Sequence, residues 1–460
     1  MENQVQETGL KAGAISKGEL TLVAVAGAAP VMCIGGSLHS FLGMTGTGIS
    51  TAAAFATLLC ILIGLSYGTL SEKYNNAGGS YSYITEIFGK KAGLWTMFVY
   101  YGVMITTSAC PPTIFATYLE SLTGIPIIVG WLIFAAIMVG LTLMGVELST
   151  KALVVVFIAE LIMFVWPGIK LITLSATGFD FGVSMHNAFA PNADLGGWNA
   201  ILLATLTWIW SYVGFEAPSF MGEEVKGGAK SVKFAIPVSA LITGLLYVVG
   251  CWLWTACLTP EQMAEIATST DALAAYSNML GYTAGATMTG IGVMLAALAC
   301  GLAMYSMMIR FLYDQGRKGI LSKKLTSLNK NQIPWKTTII YCIISFFATM
   351  YAGYAYGGPE VFGAPLFDGI NDWFVVMAIC ATTAYAFICL GHIKESARDT
   401  SFWSGIIRGK IFPAIAIVVI LYVIFFTTGP KFVWFTIIWY VLAFILAMIF
   451  GRKKDRSEER

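Results

Sequence analysis

Two carboxylates, Glu160 and Glu216, lie inside long apolar runs, VVVFIAELIMF and WIWSYVGFEAPSF. A charged side chain at the centre of a bilayer costs about 2.5–3.5 kcal/mol or more, so each is a functional candidate by default. Glu160 stands nine residues past Lys151, ~13 Å deep at helical rise. The chemistry open to it is the binding of a coupling proton or cation. The alternative is a protonated, hydrogen-bonded side chain filling an interhelix gap. Glu216 can face a cationic guest or a proton relay, or it can bond backbone groups freed by a helix break beside it. Two isolated glutamates with no nearby His, Cys or metal set do not make a catalytic constellation, so an enzyme is not expected. The nine cysteines all lie in apolar segments without CxxC spacing. Neither a metal site nor a disulfide framework follows, and no cofactor is expected.

These side chains need a scaffold that is itself apolar. The 460 residues are 57% hydrophobic and only 11% charged, about half the charge of an ordinary soluble domain. The segment Met1 to Glu19 is too polar for a cleavable signal, so the first apolar stretch is expected to stay as an anchor. A crossing takes ~20 apolar residues. Twelve runs qualify: 20–43, 49–70, 92–121, 125–145, 151–174, 199–222, 232–257, 286–314, 336–356, 370–392, 410–428 and 431–451. The runs are unbroken rather than alternating, which selects an all-α integral membrane protein over a barrel. Pro260 to Leu280 is too short and polar to span and reads as one or two surface helices.

Basic residues orient the bundle. With the N-terminus cytoplasmic, all but Lys170 and Lys431 of the 27 Lys and Arg fall on the inner side. The expected outer loops carry Asp180, Asp194, Glu261, Glu265, Asp271, Glu360 and Asp368. Both termini are therefore expected inside, at the plasma (inner) membrane. Basic tracts interleaved with aromatics are absent, so nucleic-acid binding is excluded. No Walker A motif supports ATP-driven work.

Helix breakers mark where such a bundle opens. The first run contains Gly27-Ala28-Ala29-Pro30, and the sixth contains Val213-Gly214-Phe215-Glu216. Breaks at membrane depth are tolerated where protein or a water-filled cavity satisfies the backbone. Two of them five helices apart predict two inverted repeats with a binding site near the midplane. Pro111-Pro112 and Pro167 read as ordinary kinks. His39, among serines and glycines, reads as hydrogen-bonded structure.

Three blocks carry a family resemblance: YGTLSEKYNNAGGSYSYITEIFG (Tyr67 to Gly89), WSYVGFEAPSFMGEE (Trp210 to Glu224) and IRFLYDQGRKGILSKKLTSLNKNQIPWKTT (Ile309 to Thr338). In order and spacing they resemble the amino acid–polyamine–organocation permeases over roughly residues 15–450. The resemblance implies a five-plus-five inverted repeat with discontinuous helices 1 and 6, plus two C-terminal helices. It divides the chain into a tail (1–18), a core (19–409, with repeats at about 19–175 and 199–392), helices 11–12 (410–451) and a basic tail (452–460). It also implies a secondary active transporter of amino acids or related amines, a small-molecule partner handled by alternating access. The coupling ion would be H+, with Na+ as the alternative, and the chain a monomer or homodimer. A precursor/product exchanger, an organic-cation or polyamine importer, a channel and a substrate-sensing receptor are the other readings.

Residue by residue, the resemblance places substrate at Ala28, Ala29 and Pro30 of the first break and at Gly214 of the second. Trp210 matches a tryptophan that stacks on substrate, and an aromatic face attracts cations. Phe215, with Tyr212, would complete an aromatic gate. Ser108 aligns with a polar contact, its alternative being a bond to its own helix backbone. Met304 stands where an aromatic is usual and gives a softer wall. Here the family's Gly-Ser-Gly is replaced by Gly27 to Pro30, and Pro30 has no N–H to offer a carboxylate. Many relatives carry a lysine near Glu160, in a region that other transporters of the fold give to sodium. The expected outcome of Glu216→Gln is loss of coupled uptake with expression intact; wild-type transport and pH dependence in that variant would count against the coupling role.

Overall fold

The computed structural model describes the backbone of residues 9–74, 76–175, 180–269, 271–357 and 369–458. Two of the expected outer-loop acids, Glu360 and Asp368, lie outside the described residues, as do the first eight residues of the expected N-terminal tail. In chain order the helices are α1 (Lys17–Gly27), α2 (Pro30–Thr45), α3 (Ile49–Lys73), α4 (Gly79–Phe88), α5 (Lys90–Thr123), α6 (Ile127–Leu143), α7 (Val146–Leu174), α8 (Phe181–Phe189) and α9 (Gly197–Trp208). They continue with α10 (Ala229–Thr255), α11 (Pro260–Ala267), α12 (Ala272–Met279), α13 (Thr283–Arg317), α14 (Trp335–Gly357), α15 (Gly369–Glu395), α16 (Phe412–Tyr422) and α17 (Pro430–Glu458). Among the described residues there is no sheet, only isolated bridges pairing Ile15 with Val225 and Leu328 with Pro334.

Eight helical stretches among the described residues are long and apolar enough to cross a membrane, and the first, Lys17–Lys73, contains two of the expected crossings. Three other expected crossings are helical but fall short of that measure. Helix α6 has 17 residues. Helix α14 reaches the undescribed segment. Helix α5 is long enough but carries TTSACPPT at its middle, and these small polar residues are buried against its neighbours rather than turned to lipid. The expected surface element between Pro260 and Leu280 is a pair of helices, α11 and α12, each started by a side-chain cap from Thr259 or Asp271.

Local chemistry explains where the first helix starts. Ser16 and Glu19 form a reciprocal capping box, with Ser16 Oγ accepting the Glu19 N–H at 3.2 Å and Glu19 accepting the Ser16 N–H at 2.7 Å, two donors satisfied at once. Helices α3 and α10 then pack through small residues. A Cβ on Gly64 would meet Pro237 at 3.0 Å, and one on Gly244 would meet the Thr57 side chain at 2.1 Å. Without a hydrophobic force between helices in lipid, such close approach is what holds them.

Helix α5 passes through Pro111 and Pro112 without ending. Each proline leaves a carbonyl four residues earlier without its helical donor. For Pro112 that carbonyl is Ser108's, and the Ser345 hydroxyl of α14 donates to it at 2.6 Å. A kink thereby becomes a cross-helix hydrogen bond.

A close backbone contact joins the two predicted breaks. A Cβ on Gly214, whose φ is +113°, would lie 2.5 Å from Met304 Cε and 2.7 Å from the Gly27 carbonyl. Overpacking of this kind costs about 1–3 kcal/mol, and a positive φ adds about 1–2 kcal/mol for an L side chain. We expect Gly214→Ala to lower the thermal unfolding midpoint of detergent-purified protein by several degrees. Gly140→Ala, in α6 with open space around it, is the control expected to be neutral or slightly stabilising.

Candidate functional site

The first break follows from Pro30, which has no N–H and cannot sit inside a helix without displacing the carbonyl four residues back. Helix α1 therefore ends at Gly27, Ala29 turns to φ +46°, and α2 restarts with Pro30 in its first turn. The Val31 and Met32 amides that follow have no helical acceptor, as the first donors of any helix do not. The carbonyls are partly answered. Tyr247 Oη lies 2.7 Å from the Ala28 oxygen and also 2.7 Å from the Ser211 oxygen of the second break, sharing one proton between them. The Cys300 thiol donates to the Gly27 oxygen at 3.4 Å.

The second break begins where α9 tightens into a single 3₁₀ turn, Ile209–Tyr212, after which Val213 is extended and Gly214 has positive φ. Glu216 folds back on this unwound stretch. Its Oε2 accepts the Gly214 N–H at 2.8 Å and its Oε1 accepts the Tyr100 hydroxyl at 2.8 Å. The carboxylate is fully buried and occupied in holding the break.

Beside the two breaks lies a cavity of about 280 Å³. Of the residues singled out from the sequence, Ala28, Ala29, Trp210 and Met304 line it; Pro30, Ser108, Gly214, Phe215, Glu160 and Glu216 do not. The Ser108 hydroxyl donates to the Ile105 carbonyl at 2.6 Å, and its neighbour Thr107 lines the cavity instead. Pro30 faces a separate apolar groove against α7 and α10. Phe215 packs edge-on against Tyr385 with ring centroids 5.5 Å apart. Tyr212 is anchored by a 2.7 Å hydrogen bond with Thr57. Both rings are buried, and neither lines the cavity. Glu160, on α7, is fully buried, and among the described residues neither carboxylate oxygen has a hydrogen-bond partner.

The cavity wall also holds residues that sequence reasoning passed over, among them Cys33, Ser37, Phe41, Cys110, Cys300 and Met377. A signal was available for α2. Ala29, Met32, Cys33, Gly36, Ser37, Ser40 and Met44 all line the cavity and fall at spacings of one, three and four, one face of a helix. That face sets a glycine and two serines among Ala, Met and Cys within an otherwise apolar run. On the same helix, the His39 Nδ1 is buried without a partner among the described residues. Asp271, expected as a solvated outer acid, is partly buried at the start of α12. Burial pushes its carboxyl up, while the Ala274 N–H, Tyr118 and the His39 imidazole pull it back.

On the other side of the breaks the bundle is shut by charge. Arg310 of α13 forms a bidentate pair with Glu224: Nε bonds to Oε2, and Nη2 reaches Oε1 at 2.9 Å, with both side chains buried. Arg317 holds Glu223 through two bonds of 2.9 and 2.7 Å and also Asp314 at 2.7 Å. Lys318 adds a 2.9 Å pair to Asp314, which Tyr81 also approaches as a donor. Ile15 clips onto the same loop, its N–H donating to the Glu224 oxygen at 3.3 Å and its carbonyl accepting the Lys226 N–H at 2.9 Å.

Comparison with known proteins agrees with this architecture. The amino acid permease family matches residues 18–450. An arginine/ornithine antiporter of Lactococcus lactis is 22% identical over 453 residues, 90% of this chain and 84% of its own. A low-affinity putrescine importer of Escherichia coli is 22% identical over 293 residues, 61% of this chain and 62% of its own, so this chain spans less than two thirds of that relative. A branched-chain amino acid permease of Lactococcus lactis is 22% identical over 330 residues, 66% of this chain and 69% of its own. With a family match over nearly its whole length, the chain belongs to the amino acid permease family, within the amino acid–polyamine–organocation superfamily.

Proposed function

We propose that the protein is a secondary active transporter that carries amino acids or related amines across the plasma membrane by alternating access. The observation that carries this reading is the meeting of two interrupted helices at a cavity, with Gly27 against Gly214. Half-helix ends of this kind are where transporters hold substrate. The relatives named above are described as handling arginine and ornithine, putrescine or branched-chain amino acids, which supports the same cargo class here.

Within this proposal the chain crosses twelve times as two inverted repeats, about 19–175 and 199–392, followed by two further helices, with both termini cytoplasmic. The side closed by Arg310–Glu224 and Arg317–Glu223 is then the cytoplasmic one, and the cavity belongs to an outward-facing state. Opening inward requires those pairs to part and the loop after the second break to leave Ile15.

Coupling is assigned to Glu160. An ionised carboxylate in a buried site without a counter-charge is costly, so a proton is the simplest partner for it, and a conformational change that wets the site would release it. Helix α7 carries Glu160 and packs at that residue against Gly292 of α13, the helix whose Cys300 meets the first break, so the two events share one helix contact. Strict dependence on internal substrate would instead make the protein an exchanger.

The decisive measurement is flux in proteoliposomes loaded with a mixture of amino acids. We expect saturable uptake driven by an inward proton gradient and collapsed by a protonophore. Glu160→Gln should lose the pH dependence of uptake while retaining exchange at equal pH. Uptake driven by a sodium gradient alone would refute the proton assignment, and an absence of saturable flux would refute transport itself.

A further inference from the structure

The cavity's wall is more informative about cargo than the buried carboxylates are. Among the described residues that line it there is no Asp, Glu, Lys, Arg or His. The two membrane carboxylates that would attract a cationic guest are elsewhere: Glu216 is engaged by the Gly214 amide and Tyr100, and Glu160 lies outside the wall. What faces the space is soft and apolar. Cys33, Cys110, Cys300, Met32, Met304 and Met377 supply sulfur from four different helices. Methionine and free cysteine are polarisable, and methionine adapts its shape to an apolar guest. The volume of about 280 Å³ sits at the small end of ligand sites, ~300–1,000 Å³, suited to a single amino acid.

We propose that the cavity selects an amino acid with an uncharged, apolar side chain, of the size of leucine or methionine, and rejects guanidinium and alkylammonium side chains and diamines. The inference rests on the transport reading above and names the substrate class of that same site. The α-carboxylate and α-ammonium are common to all amino acids. They fall to the freed backbone at the breaks, where the Met32 amide lacks a helical acceptor, and to hydroxyls such as Ser37 and Thr207 in the wall. Discrimination therefore rests on the side chain. A cationic side chain would have to surrender its hydration for the Trp210 face and neutral hydroxyls such as Ser40 and Thr107, with no counter-charge among the described lining residues. One aromatic face recovers less than burial of an unpaired ion costs. An apolar side chain loses nothing comparable and gains contact with the sulfur-rich wall.

The test is counterflow in proteoliposomes preloaded with unlabelled leucine, using radiolabelled leucine as tracer. External methionine or leucine should reduce tracer entry by about tenfold or more, while arginine, ornithine or putrescine at about a hundredfold higher concentration should reduce it less than about twofold, since specificity is a difference of affinities. Parallel vesicles preloaded with arginine or putrescine should exchange the matching label at least about tenfold more slowly. Faster exchange of either cation than of leucine would overturn the substrate class and leave transport standing. Exchange of neither class would overturn both. A second measurement reads the same wall directly. Alkylation of the half-buried Cys33 by N-ethylmaleimide, followed by mass spectrometry, should slow about fivefold with leucine and be unchanged by arginine; protection by arginine alone would also overturn the proposal.

Discussion

Everything at the centre of this protein depends on satisfying peptide groups that two broken helices expose where no bulk water answers them. The solution uses side chains from elsewhere in the bundle. Tyr247 of α10 sits between one carbonyl from each break, Cys300 of α13 donates to Gly27, and Glu216 turns back onto Gly214. The two breaks then press together so closely that neither Gly27 nor Gly214 has room for a Cβ without a shift in its neighbours. The same demand recurs in α5, where Pro112 frees the Ser108 carbonyl and Ser345 supplies the missing donor. Unwound backbone is tolerated here because several of the exposed groups are met by such partners.

The far side is governed by a different balance. Burying Arg310 and Glu224 costs several kcal/mol per ion in desolvation, offset only because both donors of the guanidinium edge find both carboxylate oxygens and a third N–H reaches the Ser306 carbonyl at 2.6 Å. Such a pair adds little net stability but is strongly specific in geometry. Removing one partner strands the other. An assembly of this kind suits a closure that must be complete or absent, with few intermediate arrangements of comparable energy.

How much of this could be read from the amino acids alone differs by feature. The apolar runs and the breakers at Pro30 and Gly214 were plain, because length and missing N–H groups are local properties. The cavity-lining face of α2 was legible in principle as a glycine and two serines at helical spacing. Glu216 was visible as important, but its partner Tyr100 lies on a helix more than a hundred residues away, and no local pattern tells a carboxylate that lines a cavity from one that braces a break. Ser108 and Thr107 are adjacent and chemically alike, so only the rotation of α5 decides which one meets the cavity. The sulfur wall was the least visible. Its members are scattered over four helices, and each alone is an ordinary apolar residue.

The clip between Ile15 and the loop at Glu224 and Lys226 has a consequence for the order in which the molecule is made. Ile15 leaves the ribosome ahead of α1, whereas its partners emerge only after the sixth expected crossing. Until about half of the 460 residues are made, Ile15 must wait unpaired at the membrane face, although the capping box just behind it needs only Ser16 and Glu19. Ile15 is thus fastened only after α1 to α9 have been made, and its docking ties the segment ahead of α1 to the loop ahead of α10.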